Sequence, residues 1–131
     1  MTARAVTATV GDWLHAESFL DGEVTLDDVR FHSGGPVAFY LRMMGRRAMT
    51  LGDHVFFRDE GLIDQAKQSN WPLYVHELVH VAQYRREGYP KFLGAYTWDV
   101  VRAGVKYSSK LPREAPAYAR QREAERRLGL R

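Results

Sequence analysis

The sequence contains no cysteine. Disulfide bonds and thiolate nucleophiles are therefore excluded, and a metal ion can be bound only through histidine, carboxylate or water. No apolar run approaches the length of about 20 residues that a transmembrane helix requires, and Met1–Val10 lacks an apolar stretch of signal-peptide length. We therefore expect a cytoplasmic protein without a membrane partner, although export by a route that cleaves no signal stays open.

An excess of charge of one sign is also nearly absent, since the net charge is only +3. Much of this excess lies in the C-terminal tail, where arginines are interleaved with Glu114, Glu123 and Glu125. Such mixing is typical of a solvated helix with ion pairs along it. A nucleic-acid interface would contain less acid and more aromatic stacking groups. We therefore expect no nucleic-acid partner.

The chain has 131 residues, of which 45% are apolar and 27% charged. These values indicate one soluble domain spanning residues 1–131. The first 24 residues are predicted to form an N-terminal arm, an edge strand or a short helix that begins at Asp12. They are followed by a strand at 29–32, a helix from Pro36 to about Gly45 and a hairpin in "AMTLGDHVFFR". Three helices end the chain. The predicted fold class is α+β, with a small antiparallel sheet beside a helical half.

The stretch "YVHELVHVAQY" carries the motif with the clearest chemistry. On a helix His76 and His80 lie one turn apart on one face, so both imidazoles can be directed at one metal ion. Glu77 would lie beside that ion, where a general base for an activated water is needed. The plain structural alternative is a helix whose histidines merely share a face. The apolar residues around the motif favour the metal site, because histidine and glutamate are unfavourable in a core without partners.

A zinc site needs a third protein ligand, and no histidine follows His80. We favour Glu114, which begins a late helix after Pro112, and Pro116 leaves the geometry of that helix start open. The plain alternative is that Glu114 only favours the positive end of its own helix dipole. The other downstream candidates for the third ligand are Glu87, Asp99, Glu123 and Glu125.

Four further side chains are candidates for the site. Gln83 can accept a hydrogen bond from a ligand histidine and so fix its tautomer. His54 can line a substrate cleft, and an ordinary strand histidine is the equal alternative. Tyr107 or Tyr118 can donate to a developing oxyanion, although a buried tyrosine with a satisfied hydroxyl is the commoner case.

The order of these motifs resembles an HExxH zinc-metallopeptidase-like domain family, a gluzincin-like group associated with extracellular contractile injection systems and polymorphic toxins. The resemblance rests on "VRFHSGG", a helix, "AMTLGDHVFFR", "HELVHVAQY" and a glutamate on a late helix, and it spans roughly residues 25–120. It implies zinc as cofactor, with His76, His80 and Glu114 as ligands and Glu77 as the catalytic base. Within this group, the chain resembles the eCIS core domain.

Together these features predict a zinc metallopeptidase, in which Glu77 deprotonates a zinc-activated water that attacks a peptide carbonyl. The substrate is expected to be a peptide or protein in an open groove beside His54–Arg58, or a protein partner completes the cleft. The main alternative is a non-catalytic, zinc-stabilised binding or assembly module, linked to a secretion or toxin system. A third hypothesis is the hydrolysis of a non-peptide amide. The strand-like edge is the only feature of the sequence that favours a peptide substrate over such an amide.

Overall fold

A computed structural model of the chain describes residues 3–20, 24–88, 90–91, 94–95, 98 and 114–130. Its strands are β1 (Arg4–Ala5), β2 (Arg30–Ser33), β3 (Ala48–Leu51) and β4 (His54–Phe57). Its helices are α1 (Ala8–Ala16), α2 (Gly35–Met43), α3 (Trp71–Glu87) and α4 (Glu114–Arg127). The α+β class is confirmed, and the described elements follow the predicted order. The helix expected over 91–107 falls largely on residues outside those described.

The four strands form one sheet in the order β1-β2-β4-β3. β1 pairs antiparallel with β2, and β3 pairs antiparallel with β4, but β2 and β4 run parallel. The sheet is therefore mixed, and the prediction of an antiparallel sheet was wrong in this respect. The β3–β4 hairpin folds back so that its second strand, rather than its first, lies beside β2. Among the described strands, β3 therefore lies at one edge of the sheet and β4 lies inside it.

The N-terminal residues belong to the fold rather than to a loose arm. β1 extends the sheet at its edge, and α1 buries Val10 and Leu14 completely. α1 begins at Ala8 instead of near Asp12, because the Thr7 hydroxyl accepts a hydrogen bond from the Val10 amide at 3.4 Å and caps the helix earlier. Trp13 of α1 contacts Trp71 of α3, with ring centroids 5.0 Å apart.

An aromatic cluster joins the sheet to α3. The rings of Phe31 on β2, Phe57 on β4 and Tyr74 on α3 lie 4.9–5.6 Å apart, and each side chain is fully buried. The Tyr74 hydroxyl donates to the Leu62 carbonyl at 2.7 Å, which satisfies its polar end inside the core. α3 is thereby fixed against one face of the sheet.

α3 is buried from Trp71 to Tyr84, since the sheet covers one side of it and α4 another. It ends at Gly88, whose φ of +83° is accessible to glycine at little cost. The Asn70 side chain precedes α3 but does not cap it, because its amide donates instead to the carbonyls of Gly61 and Asp64. Among the described residues, no helix is both long enough and apolar enough to cross a bilayer.

Candidate metal centre

Three side chains from two helices converge between α3 and α4. Oε1 of Glu114 lies 3.1 Å from Nε2 of His76 and 2.8 Å from Nε2 of His80. One candidate ligand atom from each residue lies within 4.8 Å of the others. Ligands of a tetrahedral zinc ion with bonds of about 2.0–2.1 Å are separated by about 3.3 Å. The distances from Glu114 to the two imidazole nitrogens are close to that separation. In the described part of the chain, these three residues form the only group that could hold a metal ion.

The first turn of α4 brings Glu114 to α3. Glu114 has no exposed surface, and the small, fully buried Ala117 and Ala124 lie on the same face of α4, so that the two helices approach closely. Pro116 stands at the third position of α4, in the turn whose amides have no helical acceptor, and so it does not interrupt the helix. The geometry that this proline had left open is thereby resolved.

Two glutamines fix the orientation of the two imidazoles. The side-chain oxygen of Gln121 accepts a hydrogen bond from Nδ1 of His76 at 2.7 Å, and that of Gln83 accepts one from Nδ1 of His80 at 2.8 Å. Because an amide oxygen only accepts, each Nδ1 must carry a hydrogen. In a neutral imidazole the lone pair then lies on Nε2, which faces Glu114. This is the arrangement in which outer hydrogen bonds hold histidine ligands for a metal ion.

The charges of the site favour a bound cation. In the described part of the chain, two buried carboxylates, Glu77 and Glu114, lie at this centre, and the guanidinium of Arg46 is 3.5 Å from Oε2 of Glu114. Burial lowers the pKa of His80, but its hydrogen bond to Glu114 and the charge of Glu77 outweigh burial and hold that pKa above its ordinary value. Nε2 of His80 lies 2.8 Å from Oε1 of Glu114. A nitrogen lone pair and a carboxylate oxygen repel each other at this distance unless a positive charge lies between them, and either a proton or a metal ion can supply it.

Glu77 lies beside the three donors and is not one of them. Its Oε2 is 3.7 Å from Nε2 of His76, and its Oε1 accepts a hydrogen bond from the Thr50 hydroxyl at 2.9 Å. Thr50 belongs to the edge strand β3, and its own carbonyl accepts a hydrogen bond from the Tyr84 hydroxyl at 3.2 Å. The strand thus fixes one oxygen of Glu77 and leaves the other directed toward the histidines.

A cavity of about 120 Å³ gives access to this centre. Residues of the metal centre (His76, Glu77 and Gln121) form one wall, and the segment that enters β3 (residues 45–48) forms another. Tyr118 also lines the cavity, with its ring packed edge-on against His76 at a centroid distance of 4.4 Å. The structure therefore brings Tyr118, one of the predicted oxyanion donors, to the site.

The structure does not bring His54 to the cleft. Side chains alternate along β4, so Val55 and Phe57 face α3 while His54 faces the other side of the sheet, against His32. β4 lies inside the described sheet. The cavity at the metal centre is lined by residues 45–48, which lead into β3, and not by His54–Arg58. Glu87, Glu123 and Glu125 do not join the donor group. Asp99 and Tyr107 lie outside the described residues.

Sequence reasoning found Gln83 but missed Gln121, Arg46 and Thr50. Gln121 had a usable signal, because it follows Glu114 by two helical turns and so shares its face. Arg46 and Thr50 had none, since their contacts with Glu114 and Glu77 join segments far apart in the chain.

The family model described as the eCIS core domain matches residues 15–88, which is more than half of the chain. The match begins upstream of the expected residue 25 and ends well before residue 120. It contains His76, Glu77 and His80, whereas Glu114 and Gln121 lie beyond it. No curated protein and no solved structure matches the chain.

Proposed function

The chain belongs to the eCIS core domain family, which is associated with extracellular contractile injection systems, and on the chemistry of its buried centre we propose that it is a zinc-dependent peptidase. The observation that carries the proposal is the convergence of His76, His80 and Glu114 around one point, with both Nδ1 atoms engaged by glutamines. Two imidazoles and one carboxylate are a donor set that zinc prefers in catalytic sites.

In this proposal Glu77 acts as the general base. Bound zinc would polarise the scissile carbonyl and lower the pKa of a water molecule. The carboxylate of Glu77 accepts a proton from the attacking water and passes it to the leaving amine, a role for which its position beside His76 is suited. Tyr118 and Arg46 line the cavity, and in this proposal they donate hydrogen bonds to the carbonyl oxygen as it gains charge.

The edge of β3 supports a peptide as substrate. The Arg58 amide donates to the Arg47 carbonyl at 2.8 Å, so the backbone of residue 47 points toward β4. By strand alternation the backbone groups of Ala48 point the other way, and Ala48 lines the cavity. An extended peptide can pair with this edge and pass Glu77, which favours peptide hydrolysis over hydrolysis of other amides.

The alternative is a zinc-stabilised module that binds or assembles without turnover. One observation favours it: an ion held by Glu114 and the two histidines would join α4 to α3, which is how structural metal sites stabilise small folds. The position of Glu77 favours the enzyme, since a purely structural site has no need of a buried carboxylate that does not bind the ion.

The two candidate functions are separated by measuring bound metal and peptide cleavage on the full chain. We expect one zinc per chain by elemental analysis, cleavage within a mixed library of quenched fluorescent peptides, loss of cleavage after chelation and its return with added zinc. Zinc without cleavage of any peptide would overturn the peptidase and support the module. A chain that takes up no zinc, even when zinc is supplied, would overturn both.

Replacing Gln121 by Met should weaken zinc binding by about 10–100-fold, as loss of an outer hydrogen bond to a ligand histidine typically does. The change removes the acceptor of His76 Nδ1–H and keeps most of the side-chain volume. Competition with a zinc-chelating dye measures the affinity. Gln121→Glu should retain tight binding, since a carboxylate also accepts, and Gln68→Met at an exposed position is the matched control. Unchanged affinity in Gln121→Met would contradict the assigned role.

A further inference from the structure

The carboxylate of Glu77 is held by the side chain of Thr50. The Thr50 hydroxyl lies 2.9 Å from Oε1 of Glu77 and 3.3 Å from the backbone carbonyl of the same residue. A hydroxyl carries one hydrogen, and the nearer, charged oxygen is the stronger acceptor. In the described part of the chain no other hydrogen-bond donor contacts this carboxylate. The position of Glu77 therefore depends on one hydrogen bond.

Thr50 is itself fixed between the sheet and α3. It lies opposite Val55 in the β3–β4 register, and its carbonyl accepts a hydrogen bond from the Tyr84 hydroxyl at 3.2 Å. Tyr84 follows Glu77 by two turns of α3, so both side chains face β3. Thr50 is buried, and water is therefore poorly placed to replace its hydroxyl as the donor to Glu77.

We propose that Thr50 is a positioning residue that keeps the Glu77 carboxylate from becoming a ligand of the ion, an inference that rests on the proposed peptidase. Oε2 of Glu77 lies 3.7 Å from Nε2 of His76, only slightly farther than the separation of about 3.3 Å between ligands of one tetrahedral zinc ion. A small rotation of the carboxylate would bring Oε2 within reach of an ion held by His76, His80 and Glu114.

Such a rotation would abolish the role of Glu77 as a base. A catalytic zinc site has three protein ligands and keeps its fourth position for water. A carboxylate in that position would exclude the water that Glu77 has to deprotonate. The hydrogen bond from Thr50 holds Oε1 against β3, and so it keeps Glu77 beside the fourth position without occupying it.

Loss of the Thr50 hydroxyl is therefore expected to have two opposite effects. A buried carboxylate oxygen without a donor is unfavourable, and a cation bound at the three donors is a near group that can satisfy it. Metal binding should become tighter, because a fourth protein ligand is gained, and turnover should become slower. A residue that only supported the fold would on removal weaken metal binding as well.

The test compares zinc affinity and peptide cleavage in full-length Thr50→Val, Thr50→Ser and the unmodified chain. Valine keeps the shape of threonine and removes the donor. In competition with a zinc-chelating dye, Thr50→Val should bind zinc about tenfold more tightly, the scale on which outer partners tune a metal site. It should lower kcat by about 100-fold, as misplacement of a reacting group by about 1 Å can, with KM unchanged.

Three further variants show whether these effects come from the hydroxyl and the carboxylate. Thr50→Ser keeps the donor and should restore both values. Thr25→Val, at an exposed threonine whose side chain caps no helix, is the matched control. In a Glu77→Ala background, Thr50→Val should leave zinc affinity unchanged, since no carboxylate remains to bind the ion. Thr50→Ala makes the same prediction as Thr50→Val without placing a methyl group against Oε1, so the test does not depend on one variant folding.

Unchanged or weaker zinc binding in Thr50→Val and Thr50→Ala, or an unchanged kcat, would overturn the role of Thr50 while the unmodified chain still cleaves peptide. If the unmodified chain binds zinc and cleaves nothing, the peptidase itself is wrong, and the catalytic consequence of the hydrogen bond is wrong with it. The zinc measurement then still decides whether Thr50 holds Glu77 away from the ion. The two failures are thus distinguished by the unmodified chain.

Discussion

Glu77→Gln should leave zinc bound and lower kcat/KM for peptide hydrolysis by about 10²–10⁴-fold, the range that a general base contributes. A carboxamide cannot accept the proton of the attacking water. Its oxygen can still accept the hydrogen bond that the Thr50 hydroxyl gives to Glu77 Oε1, so the side chain should keep its position. The measurement is steady-state cleavage of a peptide found by the library screen, with zinc per chain determined on the same sample.

The matched control for this variant is Glu87→Gln, the same change on the same helix at a residue outside the donor group. It should retain both zinc and activity. Full activity in Glu77→Gln would remove Glu77 from the mechanism. Loss of zinc in that variant would show instead that Glu77 helps to hold the ion, which the 3.7 Å separation from His76 Nε2 does not predict.

Glu114→Gln should remove most of the zinc affinity and with it the stabilisation that zinc gives. Glu114 is the donor that connects α4 to both histidines. Zinc at about 100 times its dissociation constant stabilises the folded protein by about 2.7 kcal/mol, which for a chain of this size corresponds to a rise in midpoint on the order of 10 °C. Thermal unfolding with and without zinc should show this rise in the unmodified protein and little of it in the variant.

Glu125→Gln, on the same helix but outside the donor group, is the control and should keep the full zinc-dependent rise. Comparing the metal-free proteins shows whether the substitution itself weakens the fold, since Gln has nearly the volume of Glu. A full zinc-dependent rise in Glu114→Gln would move the third ligand elsewhere. Asp99, the remaining candidate of the sequence, would then be replaced in the same way.

The sheet shows where sequence reasoning reached its limit. The hairpin was predictable, because strand-forming residues lie on both sides of Gly52–Asp53, and Gly52 has the positive φ that such a turn requires. The neighbour of each hairpin strand was not predictable, because strands pair through backbone groups that every residue carries. The order β2-β4-β3 left β3 at the edge of the described strands, and the alternation of side chains along β4 directs His54 away from the metal centre.

The sequence alone determined the properties that depend on local spacing. The i, i+4 histidines, the adjacent Glu77 and the glycine after α3 are consequences of helical periodicity and of backbone preference, so they can be read along the chain. Tertiary structure alone decided which distant groups meet. The contacts of Arg46 with Glu114, Thr50 with Glu77 and Gln121 with His76 depend on how α4 and β3 pack against α3. Packing results from burying many apolar side chains together, so it cannot be predicted from any single residue of the chain.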